Sequence, residues 1–201
     1  MSEFLTYANL GFLHITDVGG ADHILFLLAL AAIYVPRDWK DVLWVVTAFT
    51  IGHSVTLALA VTGALALPGA LIEFLIPVTI VVTAIENIVV SDRRRALWRG
   101  HYRPVFAAVF GLVHGAGFAN YLRSLFVDSV ALPLFGFNVG IEVGQIAVLV
   151  VAFAALALLD LAIGIFRLPR TAPSALRLRA VAVSGAVAFV ATGWALERAP
   201  W

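Results

Sequence analysis

The chain has 201 residues, 62% hydrophobic and 12% charged, with a formal net charge of +1 and a mean hydropathy of +1.01. A soluble domain is nearer half apolar and a quarter charged, so this is the composition of an integral membrane protein, with no basic excess to hold nucleic acid. Cysteine is absent, which excludes disulfides, thiolate metal sites and cysteine nucleophiles; any metal would take N and O ligands, a set suited to Zn, Ni, Co, Fe or Mn rather than Cu(I).

Residues 1–17 (MSEFLTYANLGFLHITD) are apolar but short of the roughly 20 residues that a bilayer core demands. They are expected to form an interfacial or re-entrant helix that carries His14 and Asp17. No basic stretch leading into a short apolar run and a small-residue cleavage site is seen there, so a cleaved signal peptide is not expected. Spans are predicted over 21–36, 42–66, 70–91, 104–122, 134–166 and 178–197. The fifth is longer than a crossing requires and is expected to tilt, kink or extend beyond the bilayer. Pro77 lies inside the third, where its missing N–H favours a kink. The whole of 1–201 is read as one transmembrane domain, an all-α polytopic bundle of six spans, or seven if the N-terminal segment also crosses.

Basic residues orient the bundle. Arg37 and Lys40 follow the first span. Arg93, Arg94, Arg95, Arg99 and Arg103 follow the third, and Arg167, Arg170, Arg177 and Arg179 follow the fifth. These are 11 of the 13 Lys and Arg, and only Arg123 and Arg198 fall on the opposite side. By the positive-inside rule the basic side is cytoplasmic, which puts both termini outside, as in a multi-pass protein of the bacterial inner membrane. Asp22 and His23 then stand at the outer end of the first span. The five tryptophans read as interfacial belts.

Several ionisable residues interrupt the apolar runs: Asp22, His23, His53, Glu86, His114 and Glu142. An ionisable side chain at membrane depth is costly, on the order of 2.5–3.5 kcal/mol even on lenient scales, and demands a partner, a metal or a wet cavity. Thr50, His53 and Ser54 share a helix face, as do Asn138, Glu142 and Gln145. Gly111/Gly115 and Gly140/Gly144 are GxxxG pairs that let helices approach closely and imidazoles on different helices meet. With almost no Lys or Arg expected at that depth, a divalent cation held by His and carboxylate is the predicted source of compensating charge. Asp22 and His23 point about 100° apart, so one is expected to ligate and the other to orient or gate. The bland reading of each element is packing: a lone His bonded to a carbonyl, Glu86 paired with Arg93 or Arg103, Ser54 and Thr50 as interface hydroxyls, Asp160 as an interfacial group.

These motifs resemble the HupE/UreJ family of bacterial membrane proteins, and its shorter-motif branch most. The matching stretches are Gly11-Phe12-Leu13-His14-Ile15, Asp22-His23-Ile24-Leu25-Phe26, Thr47 to Leu57 around His53, Glu86-Asn87, Phe110 to Ala119 around His114, and Phe137 to Gln145 around Glu142. The resemblance implies nickel or cobalt uptake, with His14, Asp22, His23, His53, His114 and Glu142 handling the metal. One departure is the spacer between His14 and Asp22-His23, longer than the family's HPxxGxDH pattern, which favours His23 over His14. Asp17, Ser54, Glu86, Asn138 and Gln145 are placed around the site or along the ion's path.

Three functions follow from this site. The first is a permease for Ni²⁺ or Co²⁺, although no inverted repeat is evident in the chain. The second is an intramembrane zinc hydrolase with Glu142 or Asp22 as general base. The third is an accessory subunit with a structural metal, packed as a homo-oligomer or within a larger membrane complex.

Overall fold

The computed structural model describes residues 2–90, 102–125, 130–165 and 173–201, without the side chains of 119–125. Arg93, Arg94, Arg95, Trp98, Arg99, Arg167 and Arg170 lie outside the described residues, as does the Arg123 side chain. The described chain is all helical: α1 (Glu3–Thr16), α2 (Asp22–Ala31), a 3-10 turn (Pro36–Asp38), α3 (Trp39–Val61), α4 (Gly69–Val89), α5 (Arg103–Leu125), α6 (Ala131–Ile165) and α7 (Ala175–Glu197). Among the described residues, four segments are long and apolar enough to cross a membrane: Pro36–Val61, Gly69–Val89, Ala131–Ile165 and Ala175–Glu197.

Local chemistry sets the ends. The Ser2 and Ser174 hydroxyls accept from the Leu5 and Arg177 N–H groups and cap α1 and α7. Gly63, at φ 77°, turns the chain out of α3. Pro77 sits inside α4, which continues through it. The first predicted span, 21–36, is cut to ten helical residues, about 15 Å of rise. The chain leaves the helix at Ala32 and enters the 3-10 turn at Pro36.

Helix directions follow from residue pairs. Phe4 lies against Gly136, Ala8 against Gly140 and Ile15 against Gly144, so α1 runs parallel to α6. His23 faces His53 and Phe26 stacks on Phe49, so α2 runs antiparallel to α3. His53 lies against Gly115 and Phe49 against Gly111, which makes α3 and α5 parallel. Thr79 meets His114 and Glu86 meets Arg103, so α4 opposes α5. Asn87 meets Ser184, and Phe74 meets Trp201, so α4 also opposes α7.

His23, at the start of α2, lies beside His14, and Ala32 and Tyr34, past its end, share Arg179 with Asp160 far along α6, so α2 also runs parallel to α6 and has the direction of α1. Ile24 and Leu28 of α2 share an apolar groove with Val148 and Ala152, one to two turns further along α6 than the α1 contacts. The two short helices are therefore successive pieces of one broken helix, joined through Asp17–Ala21. Asp17 Oδ1 accepts from the Gly19 N–H at 2.8 Å, an Asx turn that bends the chain at the break. The sequence predicts an interfacial or re-entrant N-terminal helix ahead of a full first span over 21–36; α1 is a separate helix, and that span is helical only over Asp22–Ala31.

Two helix pairs are glycine seams. A Cβ built on Gly140 would stand 1.9 Å from the Ala8 carbonyl oxygen, and one on Gly11 2.1 Å from that of Phe137. In the second seam, Cβ atoms on Gly52 and Gly111 would stand 2.0 and 2.1 Å from the Ala108 and Phe49 oxygens. Both GxxxG pairs thus pack backbone on backbone, as their spacing predicts.

The arginines near the basic end are not all loop charges. Arg179 is 2% exposed. It donates to Asp160 Oδ2, to the Ala32 oxygen at 3.2 Å and to the Tyr34 oxygen at 2.6 Å, satisfying carbonyls freed where α2 stops short. Arg177 does the same for the Asn87 and Ile88 carbonyls at the end of α4. Arg103 pairs with Glu86. The expectation of almost no basic partner for the buried acids is thereby corrected: Glu86, Asp160 and Asp22 each have an arginine.

Candidate metal centre

Four histidines from four helices converge. His14 ends α1, one turn past the Gly11 contact with α6. His23 is in the first turn of α2. His53 follows Gly52 in the α3–α5 seam, and His114 lies between the Gly111 and Gly115 contacts. Ring centroids are 4.7 Å apart for His14 and His23, 6.0 Å for His14 and His53, 6.1 Å for His23 and His53, and 5.1 Å for His23 and His114. One ring nitrogen each from His14, His23 and His53 can be chosen so that all lie within 4.8 Å of one another.

Hydrogen bonding leaves these nitrogens available. His14 Nε2, His23 Nε2, both nitrogens of His53 and His114 Nδ1 are buried with no partner among the described residues. Buried polar atoms are normally satisfied, and these nitrogens at one point fit a divalent ion as a common partner. Thr79 sets the state of His114. Its single hydroxyl proton goes to the Ile76 oxygen at 2.7 Å, so at 3.0 Å from His114 Nε2 it accepts. His114 then carries its proton on Nε2 and keeps the Nδ1 lone pair free. Neutral imidazole with a fixed tautomer is the form that ligates metal.

Aromatic rings close the cluster on both sides. Phe118 lies 3.9 Å from His14, centroid to centroid, and stacks on Phe137 at 5.4 Å. Phe26 and Phe49 stack at 4.9 Å against His23 and His114. The rings that flank the imidazoles are apolar, so the donors the cluster offers are lone pairs rather than charges.

The predicted carboxylates each have their own partner outside the imidazole group. Glu142 Oε1 accepts from Thr47 Oγ1 at 2.5 Å, and Gln145 accepts from Thr50 at 2.9 Å. Asp22 accepts from Arg198 at 3.1 and 3.3 Å. Ser54 donates to the Thr50 oxygen at 2.6 Å. Asn138 Oδ1 is buried without a partner among the described residues. Asp17 makes the break's Asx turn. Glu86 accepts from Arg103 and Tyr102, away from the imidazoles.

The structure therefore brings His14, which the longer spacer disfavoured, into the closest group, and leaves Asp22, Glu142 and Glu86 in side-chain pairs. Sequence reasoning did not find Thr79, Thr47 or the Phe118–Phe137 stack. A threonine two residues from a buried proline offers no signal of its own until His114 is placed against it.

No curated protein and no solved structure matches the chain significantly. A family model described as HupE / UreJ protein matches residues 1–198. That match covers nearly the whole chain, and the chain belongs to the HupE/UreJ family.

Proposed function

We propose that this protein is a permease for nickel or cobalt in the bacterial cytoplasmic membrane, with six crossings of which the broken α1–α2 helix is the first. The observation that carries this reading is the cluster of buried imidazoles with unpartnered nitrogens on four helices. An all-nitrogen donor set fits borderline divalent ions such as Ni²⁺, Co²⁺ and Zn²⁺. The family's link to nickel and cobalt supports the first two. Discontinuous helices recur where transporters bind ions, because the broken ends bring polar groups to a point inside the bundle. On this reading His14, His23 and His53 hold the cargo ion, His114 supplies a fourth nitrogen, and Glu142 and Asp22 lend negative charge nearby. Arg103 and Tyr102 engage Glu86, which is kept as a structural group.

Hydrolysis would need a carboxylate free to take a proton from a metal-bound water. Arg198 pairs with one of the two named for that role, Asp22, so that reading would fall to Glu142, which Thr47 holds through one oxygen. The test is metal analysis of the purified protein together with Ni²⁺ and Co²⁺ uptake into proteoliposomes, in wild type, His53→Ala and His114→Ala. Uptake in wild type and its loss in both variants is the expected result. Metal that resists chelation in a wild type with no uptake would overturn the permease in favour of a fixed structural or catalytic ion.

A further inference from the structure

A second cavity lies between α2, α3, α4 and α5, on the arginine-rich side of the histidines. Its volume is about 500 Å³, within the range of ligand-holding pockets, and Leu30, Val45 and Phe110 form apolar walls. It opens past Val82 and Phe106, which are 42% and 51% exposed on the outer faces of α4 and α5. The opening therefore faces the bilayer. Thr83, Glu86 and Tyr102 also line it, but Glu86 is engaged by Arg103 and Tyr102, so the lining presents no cluster of open ligands like that of the imidazole site.

Its polar end is Arg103, which is 8% exposed. The terminal nitrogens of Arg103 donate to Glu86 and to Asn87 Oδ1. Its Nε–H is buried with no acceptor among the described residues. A buried guanidinium donor left open beside an apolar cavity asks for an acceptor oxygen attached to an apolar body. Charge selects the acceptor further: residues 86–103 hold five arginines against Glu86 and Asp92. Basic pockets at the cytoplasmic ends of helices bind anionic headgroups.

We propose that this cavity holds one acyl chain of an anionic phospholipid, whose headgroup oxygen accepts from Arg103 Nε. The chain enters between Val82 and Phe106 and runs from Arg103 toward Phe110, one turn from His114, in the direction of a lipid of the basic-side leaflet. A chain in this place fills the space beneath the Phe26–Phe49 stack and ties the helices around the imidazoles to the surrounding lipid.

The test uses the full-length protein in nanodiscs of dioleoylphosphatidylcholine with or without dioleoylphosphatidylglycerol, read by thermal unfolding and by native mass spectrometry. Ala107→Phe fills the cavity from its buried wall, and Val82→Trp blocks the opening from the exposed rim. Wild type should retain phosphatidylglycerol over phosphatidylcholine and unfold at a higher temperature with it. Both variants should bind it about tenfold or more weakly and lose the temperature rise, with unfolding in pure phosphatidylcholine unchanged. If one variant fails to fold, the other decides. Equal retention of the two lipids by wild type overturns the proposal. So does unchanged phosphatidylglycerol retention in the folded variants, which would place the lipid on the arginine surface outside the cavity.

Discussion

His14 and His23 face each other across the break in the first helix, with ring centroids 4.7 Å apart, though one ends α1 and the other begins α2. His14→Ala is therefore expected to weaken Ni²⁺ binding about as much as His23→Ala, by tenfold or more on the scale typical of groups around metals. Titration calorimetry of both variants checks this; a His14→Ala variant with wild-type affinity would remove α1 from the site.

Asp22 provides the contrast. It is adjacent to His23 in sequence, yet its carboxylate is held by the half-exposed Arg198. Surface ion pairs contribute about 0–1 kcal/mol, and this one, with its carboxylate mostly buried, is expected to contribute at least that. Asp22→Asn should cost stability on that order and retain bound metal, whereas His23→Ala should lose it. Metal loss in Asp22→Asn, measured by elemental analysis, would make the acid a ligand.

The α1–α6 seam makes a glycine essential. A side chain at Gly140 must push the Ala8 backbone away, and overpacking of this kind costs about 1–3 kcal/mol or more. Gly140→Val should lower both the unfolding temperature and metal occupancy, since His14 rides on α1. Gly164→Val is the control on the same helix, because a Cβ there meets nothing within 4 Å.

Arg179 carries two roles at once, an ion pair with Asp160 and the caps of Ala32 and Tyr34. Arg179→Met leaves those acceptors unpaired, at a cost of about 3 kcal/mol or more. Adding Asp160→Leu should recover only part of that loss in a thermal unfolding series, because the two carbonyls stay bare.

Acid should release the ion. Each imidazole must be neutral to ligate, so protonation competes directly with metal. Binding is expected to weaken as the pH falls, with protons taken up as metal leaves. Calorimetry in buffers of different ionisation enthalpy counts them.

Helix identity and most helix ends were legible in the sequence, since apolar runs, serine caps and Gly63 are local signals. His23, His53 and His114 were legible too, as imidazoles at odds with their apolar surroundings. The partner of α1 was not. The Gly136, Gly140 and Gly144 stripe announces close approach, but nothing in it says that the approaching chain is residues 4–15. Arg179 was read as loop charge for a similar reason: its acceptors, the Ala32 and Tyr34 carbonyls, lie 147 and 145 residues away. The loss of α2 after ten residues is what creates them.

The parallel seating of α1 on α6 also fixes an order of assembly. The fourteen residues of α1 and ten of α2 are each too short to be held across hydrocarbon alone. Their docking surface, from Gly136 to Ala152, is synthesised more than a hundred residues later. His14 thus reaches His23 and His53 only after nearly three quarters of the protein has left the ribosome. A nascent bundle without α6 lacks the seat that brings His14 to the other imidazoles.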